Sequence, residues 1–179
     1  MDALFIRPAT PADIPAARTL IESAYRGDDA RQGWTHEADL LGGQRIDEDG
    51  LARLIADPQE HLLLGFDGSR MVATVNVSNK DGPYAYLGLL SVDPRLQTGG
   101  HGRRMIAAAE DKAREIGCRF IEMTVIRQRS ELIAYYVRRG YHLTGETRPF
   151  PYDDEKFGLP NRPDLIFEVL EKALYPDED

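Results

Sequence analysis

Apolar positions along the chain follow two spacings, one typical of amphipathic helices and one typical of strands. Residues 10–25 begin with Thr10-Pro11 and then carry apolar side chains at a spacing of 3.6, which predicts a helix. Two β-type runs, 61–66 and 71–77, flank a short Asp-Gly turn and predict a hairpin. The full predicted order is strand 4–7, helices 10–25 and about 51–57, strands 61–66, 71–77 and 84–92, helix 99–117, strand 120–126, helix 131–139, and strands 141–146 and 165–170.

This order predicts the fold class. Antiparallel strands in the first half and crossover helices in the second half indicate a mixed α/β fold, with a mostly antiparallel central sheet of about seven strands flanked by helices. Residues 84–92 become nearly all apolar, as in a strand buried on both faces. Residues 26–44 and the proline-rich 149–163 show neither spacing, and we expect both to lack regular structure. One domain is expected over residues 1–175, followed by a frayed acidic tail at 176–179.

Composition narrows the range of partners. The 179 residues include 30 acidic and 22 basic side chains, and a net charge of −8 argues against nucleic acid or an anionic membrane as partner. Cys118 is the single cysteine, so no internal disulfide can form, which fits a reducing compartment. The four histidines lie far apart in the sequence, and no metal site is expected. The sequence has neither a long apolar run nor a signal peptide at its start, and we expect a cytoplasmic protein.

Residues 89–104 carry the most informative pattern. A buried strand runs into a turn at Pro94, and Gly99, Gly100 and Gly102 then open a helix. A helix start presents unpaired backbone N–H groups and a positive dipole end, and glycines let an anion approach the backbone closely. The pattern therefore predicts a cradle for phosphate or diphosphate. Arg103 in the first turn favours an anion there, because a cation at this end opposes the dipole. In the alternative interpretation, the glycines merely allow a tight turn.

Two blocks of the sequence resemble the GNAT superfamily of acyl-CoA-dependent N-acyltransferases. The first block matches the family's motif A, Val-x-Pro-x-x-Gln/Arg-x-x-Gly-x-Gly/Ala, at Val92, Pro94, Gln97, Gly100 and Gly102. The second is Tyr-Tyr-Val-Arg-Arg-Gly-Tyr at residues 135–141, which is similar to the end of the family's last helix. The predicted order of elements agrees with the family from residue 3 to about residue 147.

The resemblance implies a cofactor, acetyl-CoA, and residues that bind it. The family's sheet splays beside the strand that precedes motif A, and the free backbone groups there bind the pantetheine arm. In this sequence, those groups belong to Leu90, Ser91 and Val92. The residues implied to hold the diphosphate are Gln97, Thr98, Gly99, Gly100, His101, Gly102 and Arg103.

The resemblance also implies two catalytic roles. Tyr136 occupies the family's position for a general acid that protonates the leaving thiolate. Some members carry a glutamate base on the strand after motif A or on the strand before it, and these positions hold Thr124 and Tyr86 here. Glu122 lies two residues before Thr124, hence on the same face of its strand, and is the candidate base. A glutamate exposed on a strand, a water relay or a base from the first loop are the alternatives.

Two irregular segments are expected to line the pocket for the acyl acceptor. In the first, Trp34 offers an apolar or cation-binding wall, and Glu37 or Asp39 can pair with an ammonium group. In the second, Arg148 can meet a carboxylate of the acceptor. Solvated acids and a surface ion pair are the alternative interpretations. A long proline-rich loop is typical of a lid or pocket wall and favours a small acceptor.

The leading hypothesis is acetyl transfer from acetyl-CoA to a small primary amine, by direct attack on the thioester. A protein N-terminus or lysine is the alternative acceptor. A catalytically silent acyl-CoA sensor and an unrelated nucleotide-binding module are the alternative classes of protein. Exposed sheet ends and the strand at 165–170 are compatible with a homodimer.

Overall fold

A computed structural model describes residues 4–25, 41–42, 46–79, 82–96, 99–149, 159–160 and 164–176. Within these ranges the helices are α1 (Ile14–Tyr25), α2 (Glu48–Ala56), α3 (His101–Glu115) and α4 (Ser130–Arg138). The strands are β1 (Phe5–Pro8), β2 (Leu41–Gly42), β3 (Glu60–Asp67), β4 (Arg70–Asn79), β5 (Tyr84–Val92), β6 (Phe120–Ile126), β7 (His142–Pro149), β8 (Leu159–Pro160) and β9 (Ile166–Ala173). No helix in these ranges is long and apolar enough to cross a membrane.

Local sequence explains where the first helices begin. The Asp13 carboxylate accepts a hydrogen bond of 2.8 Å from the backbone N–H of Thr10, and Arg7 pairs with the same carboxylate at 2.8 Å. These hydrogen bonds, the one from Arg7 foremost, hold the pKa of Asp13 well below its usual range. At α2, the Asp47 side chain caps the helix by accepting from the N–H of Gly50 at 2.7 Å.

The main sheet has seven strands in the order β1-β3-β4-β5-β6-β9-β7. Strands β5 and β6 run parallel, and the other neighbours run antiparallel. The mixed α/β fold with a mostly antiparallel sheet is therefore confirmed, and β5 lies in the central position that its apolar sequence predicted.

Helices cover the two faces of the sheet and create two apolar clusters. The larger cluster packs Met105, Ile106 and Ala109 of α3, together with Tyr136 of α4, against the sheet. The smaller cluster packs Ala17 and Ile21 of α1 and Leu51 of α2 against the opposite face. The two faces are called the α3 face and the α1 face below.

The structure differs from the sequence prediction at strands whose backbone pairing leaves no recognisable pattern of side chains. Strand β7 extends to Pro149, although residues 149–163 were predicted to lack regular structure. Strands β2 and β8 lie in the two stretches predicted to be irregular, and they pair antiparallel over two residues. A proline is compatible with so short a ladder because its carbonyl can still accept a hydrogen bond. The other residues of both stretches, 26–40, 43–45, 150–158 and 161–163, lie outside the described residues.

A buried polar network ties α3 to the far end of the sheet. Glu110 is 8% exposed, and its carboxylate accepts from Lys172 Nζ at 2.9 Å and from Tyr141 Oη at 3.1 Å. Lys172 Nζ also donates to the carbonyl of Arg139 at 3.0 Å. Burial and the nearby carboxylate raise the pKa of Tyr141, so its hydroxyl remains a donor.

We predict that Lys172→Met lowers the free energy of unfolding by about 2 kcal/mol, because a buried carboxylate loses a charged donor. Urea denaturation measures this as a lower midpoint with an unchanged slope. The control is Lys112→Met, since Lys112 pairs at 3.4 Å with Glu115, whose side chain is 70% exposed. Such a surface pair contributes less than about 1 kcal/mol. Equal midpoints for the two variants would show that the buried network does not stabilise the fold.

Candidate active site

Strands β5 and β6 separate soon after they begin. Their parallel register covers Tyr84 with Phe120, Ala85 with Ile121, and Tyr86 with Glu122, and no further rung joins them in the described part of the chain. The edge of β5 that faces β6 therefore has no ladder rung to β6 from residue 87 to residue 91. The predicted cofactor-binding residues Leu90 and Ser91 lie on this open stretch, and the predicted Val92 is the last residue of β5.

An unusual backbone conformation accompanies the separation. Leu89 has φ of +50°, and it is the one non-glycine residue with positive φ in the described ranges. This conformation costs about 1–2 kcal/mol for an L-residue. The Leu89 side chain is buried against the α1 face, and its carbonyl accepts a hydrogen bond of 2.7 Å from Thr74 Oγ1. A register shift between β4 and β5 lies at the same place. Burial and hydrogen bonding thus offset a strained turn of β5 beside the splay.

The turn that follows β5 is held by a buried carboxylate. Asp93 is 5% exposed and accepts hydrogen bonds from Arg70 at 2.7 Å and from the Arg95 guanidinium at 3.0 and 3.1 Å. Burial alone would raise the pKa of Asp93, but the hydrogen bonds from Arg95 outweigh it and lower the pKa. The Asp93 carbonyl also accepts from the N–H of Leu96 at 2.8 Å, which closes the turn before α3.

The predicted anion cradle falls at the amino end of α3. Gly100 caps the helix with φ of +82°, a conformation that favours glycine. A Cβ built on Gly100 would lie 3.8 Å from the Arg104 guanidinium and 3.9 Å from the Arg103 guanidinium. Arg104 also lies 3.4 Å from His101 Nδ1. Helix N–H groups and cationic side chains thus converge on one backbone position. The predicted Gln97 and Thr98 lie outside the described residues.

Tyr135 packs against the amino end of α3, a contact that the sequence analysis did not predict. Its Oη would lie only 2.9 Å from a Cβ built on Gly102, so a larger residue at 102 would displace the tyrosine. The Arg139 guanidinium stacks over the Tyr135 ring at 4.3 Å from the ring centre. Gly102 is therefore required by packing against α4 as well as by access to the cradle. The Tyr135-Tyr136 doublet was the available signal, but spacing alone does not show that a ring from α4 reaches α3.

Tyr136, the predicted general acid, lies on the α3 face. The residue is 5% exposed, and its ring makes edge contacts with Tyr135 and Tyr141 at centroid distances of 5.6 and 5.9 Å. These edge contacts pack the rings of Tyr135, Tyr136 and Tyr141 together near the carboxyl-terminal end of α4.

A row of polar side chains crosses the opposite face. Residues that are Cα partners in neighbouring strands share a face of the sheet, and the register joins one such series across β3, β4, β5, β6, β9 and β7. This polar row consists of Glu60, Ser78, Tyr86, Glu122, Glu171 and His142. Its centre, Tyr86 with Glu122, is the last rung before β5 and β6 separate.

The candidate base Glu122 forms an ion pair with Arg148, the residue predicted to contact a carboxylate of the acyl acceptor. Arg148 lies 3.5 Å from Glu122 Oε1 and 3.3 Å from Glu146 Oε1. Burial alone would lower the pKa of Arg148, but the two carboxylates raise it. Arg148 thus forms ion pairs within the protein, as its alternative interpretation held, and its contact with an acceptor stays a prediction.

The structure does not test the first segment predicted to line the pocket. Trp34, Glu37 and Asp39 lie outside the described residues. In the described ranges, no group of three or more His, Cys, Asp or Glu side chains is placed to hold a metal ion.

Comparison with known proteins agrees with this geometry. A model of the "Acetyltransferase (GNAT) family" matches residues 18–141. Because the match spans more than half of the chain, the chain belongs to the GNAT acetyltransferase family. The acyltransferase class expected from the sequence is thereby confirmed. No curated protein matches the chain significantly in sequence.

Solved structures of the same fold include acetyltransferases that are named for different acceptors. The yncA putative acetyltransferase from Salmonella typhimurium, solved with its cofactor acetyl-CoA, is 17% identical, with a TM-score of 0.70 over 96% of this chain and 94% of that chain. The ribosomal-protein-S18-alanine N-acetyltransferase from Escherichia coli is 16% identical, with the same TM-score and coverage. A chimera of the spermidine N-acetyltransferase SpeG from Vibrio cholerae and hSSAT is 17% identical, with a TM-score of 0.70 over 96% and 95% of the two chains. At such low identities, these similarities show the fold alone.

Proposed function

We propose that this protein transfers the acetyl group of acetyl-CoA to the primary amine of a small molecule by direct attack on the thioester. The observation that carries the proposal is the continuity of the open edge of β5 with the capped amino end of α3. An extended arm can pair with the open edge while the diphosphate at its end meets the helix N–H groups. Family membership supports the same arrangement.

The cradle fits a diphosphate in charge as well as in shape. Arg103 and Arg104 place two guanidinium groups within about 4 Å of the position next to Gly100 where a side chain would begin. The positive end of the helix dipole repels cationic side chains at the amino end, and a bound anion compensates this repulsion. Gly99 and His101 complete the backbone of the turn.

The reaction needs two proton movements, and the two faces of the sheet offer a group for each. The acceptor amine, with an ordinary pKa of about 10.4, must lose a proton before or during attack. The leaving thiolate, whose thiol has a pKa near 8.5, is best protonated as it departs. Tyr136 on the α3 face supplies the second proton in this proposal. Glu122 on the α1 face is the candidate acceptor for the first proton.

Two observations support a small amine as acceptor. The ladder between β2 and β8 joins the segment after α1 to the segment after β7, which favours an enclosed pocket over an open groove for a peptide. Glu122 and Glu171 are direct partners in the polar row, so the α1 face presents carboxylates to an ammonium group. Glu37 or Asp39 would add charge of the same sign, and Trp34 would add an aromatic wall.

A screen for thiol release from acetyl-CoA tests the proposal. The panel contains amino acids, polyamines, amine-bearing antibiotics, and peptides with a free N-terminus or a lysine. We expect turnover with at least one small amine and little with the peptides. Turnover with peptides alone would replace the proposed acceptor with a protein. Binding of CoA without transfer to any amine would contradict the proposed enzyme and support a silent sensor.

We predict that Gly100→Ala raises the dissociation constant of CoA at least about tenfold, because the alanine resists φ of +82° and turns the first N–H groups away from the diphosphate. Gly117→Ala is the matched control, since Gly117 ends the same helix with φ of +90° and has open space around it. Both variants should lose similar stability, whereas the control should keep its affinity for CoA. Calorimetric titration measures the affinity, and equal affinities for the two variants would argue against a cradle at Gly100.

We predict that Tyr136→Phe lowers kcat at least about tenfold, because the departing thiolate loses its proton donor. The dissociation constant of acetyl-CoA should change less than about twofold, since the ring and its aromatic contacts remain. A variant with full turnover would remove Tyr136 from the mechanism.

A further inference from the structure

We infer that the hydroxyl groups of Tyr86 and Thr124 form the proton relay that carries the proton of the attacking amine toward Glu122. This inference rests on the proposed function and names the groups that act on the amine side of the same reaction. Neither residue can serve as a base alone at neutral pH, but each hydroxyl can accept one proton while it donates another.

The geometry places the two hydroxyls together at the splay. Tyr86 Oη lies 2.5 Å from Thr124 Oγ1, a hydrogen bond between β5 and β6 in which either oxygen can donate. Tyr86 belongs to the last backbone rung between these strands, and Thr124 lies two residues beyond that rung on β6. The hydroxyl pair therefore bridges the strands where their backbone ladder has ended.

The pair also lies on the face opposite the predicted general acid. Ile121 and Met123 of β6 are buried in the α3-face cluster, so the alternating Glu122 and Thr124 lie on the α1 face. Tyr136 is on the α3 face. A thioester held in the splay is thus flanked by a phenol that protonates the thiolate and, across the sheet, by hydroxyls that take up the amine proton.

Packing holds the Tyr86 ring in position. A Cβ built on Gly88 would lie 3.4 Å from Tyr86 Cε1, so the ring lies alongside the glycine backbone. A methyl group at 88 would make van der Waals contact with the ring, which shows how closely the ring follows the backbone here. Ser78 and Glu122 flank Tyr86 as its Cα partners on the two neighbouring strands. A ring held in this way keeps its hydroxyl at one place, as proton transfer requires.

In the proposed relay, the last step carries the proton to the Glu122 carboxylate. Glu122 and Tyr86 are direct partners across strands about 4.8 Å apart, and Glu122 is two residues from Thr124 on the same face. As the amine nitrogen forms its bond to the thioester carbon, its proton moves to one hydroxyl oxygen. That hydroxyl's proton moves to the second oxygen, whose own proton moves to Glu122. Each hydroxyl ends neutral, and the carboxylate gains the single proton that the amine loses.

Arg148 lies at the Glu122 end of the proposed relay. Its guanidinium lies 3.5 Å from Glu122 and also pairs with Glu146, so the charge of Arg148 remains compensated when Glu122 takes up a proton. The carboxylate can then return its proton to solvent through the part-exposed edge at β7.

The test compares Tyr86→Phe and Thr124→Val with one matched control, Tyr84→Phe, and one conservative variant, Thr124→Ser. Tyr84→Phe removes a hydroxyl from the same face of the same strand, where Tyr84 stacks on Phe120 at 5.0 Å. Thr124→Ser keeps the hydroxyl of the relay. With an amine that the wild type acetylates, both relay variants should lose at least about tenfold in kcat, while KM for acetyl-CoA changes less than about twofold. Tyr84→Phe should keep at least about half of the wild-type kcat, and Thr124→Ser should recover part of the kcat that Thr124→Val loses.

The pH profile separates a relay from mere packing. In the relay variants, kcat/KM for the amine should continue to rise toward the pKa of the free amine, because only amine already deprotonated in solution reacts. Wild-type kcat/KM should level off at lower pH. An unchanged profile and rate in Tyr86→Phe would overturn the relay, and so would an equal loss in Tyr84→Phe. A wild type that binds CoA and acetylates no amine would overturn the proposed function itself, and the relay with it.

Discussion

Two parallel strands that hydrogen-bond over three residues and then part create the proposed site of this protein. Each backbone group released between β5 and β6 needs a partner, because unpaired polar groups in a sheet interior are costly. Leu89 holds β5 in its divergent course through a left-handed conformation that its buried side chain and the Thr74 hydrogen bond offset. An extended arm rich in amide groups, such as the pantetheine arm of acetyl-CoA, can supply these hydrogen-bond partners. The separation of β5 from β6 therefore also suits the binding of such a ligand.

The divergence also allows the two faces of the sheet to act on one bond. On the α3 face, the capped amino end of α3 and the aromatic cluster around Tyr136 lie beside the open edge. On the α1 face, the polar row reaches that edge at Tyr86 and Glu122. Attack at a thioester carbon forms a tetrahedral intermediate in which the nitrogen and the sulfur occupy different corners, so different groups can serve the two proton transfers. A splayed sheet therefore suits the reaction better than a closed sheet, in which both faces would be separated by continuous backbone.

Elements set by local side-chain patterns could be predicted from the sequence, whereas contacts between distant residues could not. Strands 84–92 and 120–126 were predicted with the bounds observed, because alternation and turn residues delimit them. Gly100 in the cap of α3 followed from the glycine pattern. By contrast, the Tyr86–Thr124 contact joins residues 38 apart in the sequence, and Arg70 reaches Asp93 from 23 residues away. The β2–β8 ladder likewise depends on backbone pairing that no side-chain period reveals.

We propose that the amino end of α3 holds the diphosphate of acetyl-CoA, and calorimetric titration with CoA and with pantetheine measures the contribution of that diphosphate. Pantetheine keeps the arm that pairs with β5 but lacks the diphosphate. CoA should bind at least about tenfold more tightly than pantetheine, and added salt should reduce this difference in affinity. Equal affinities for the two ligands, or no heat of binding with millimolar CoA, would contradict the proposal.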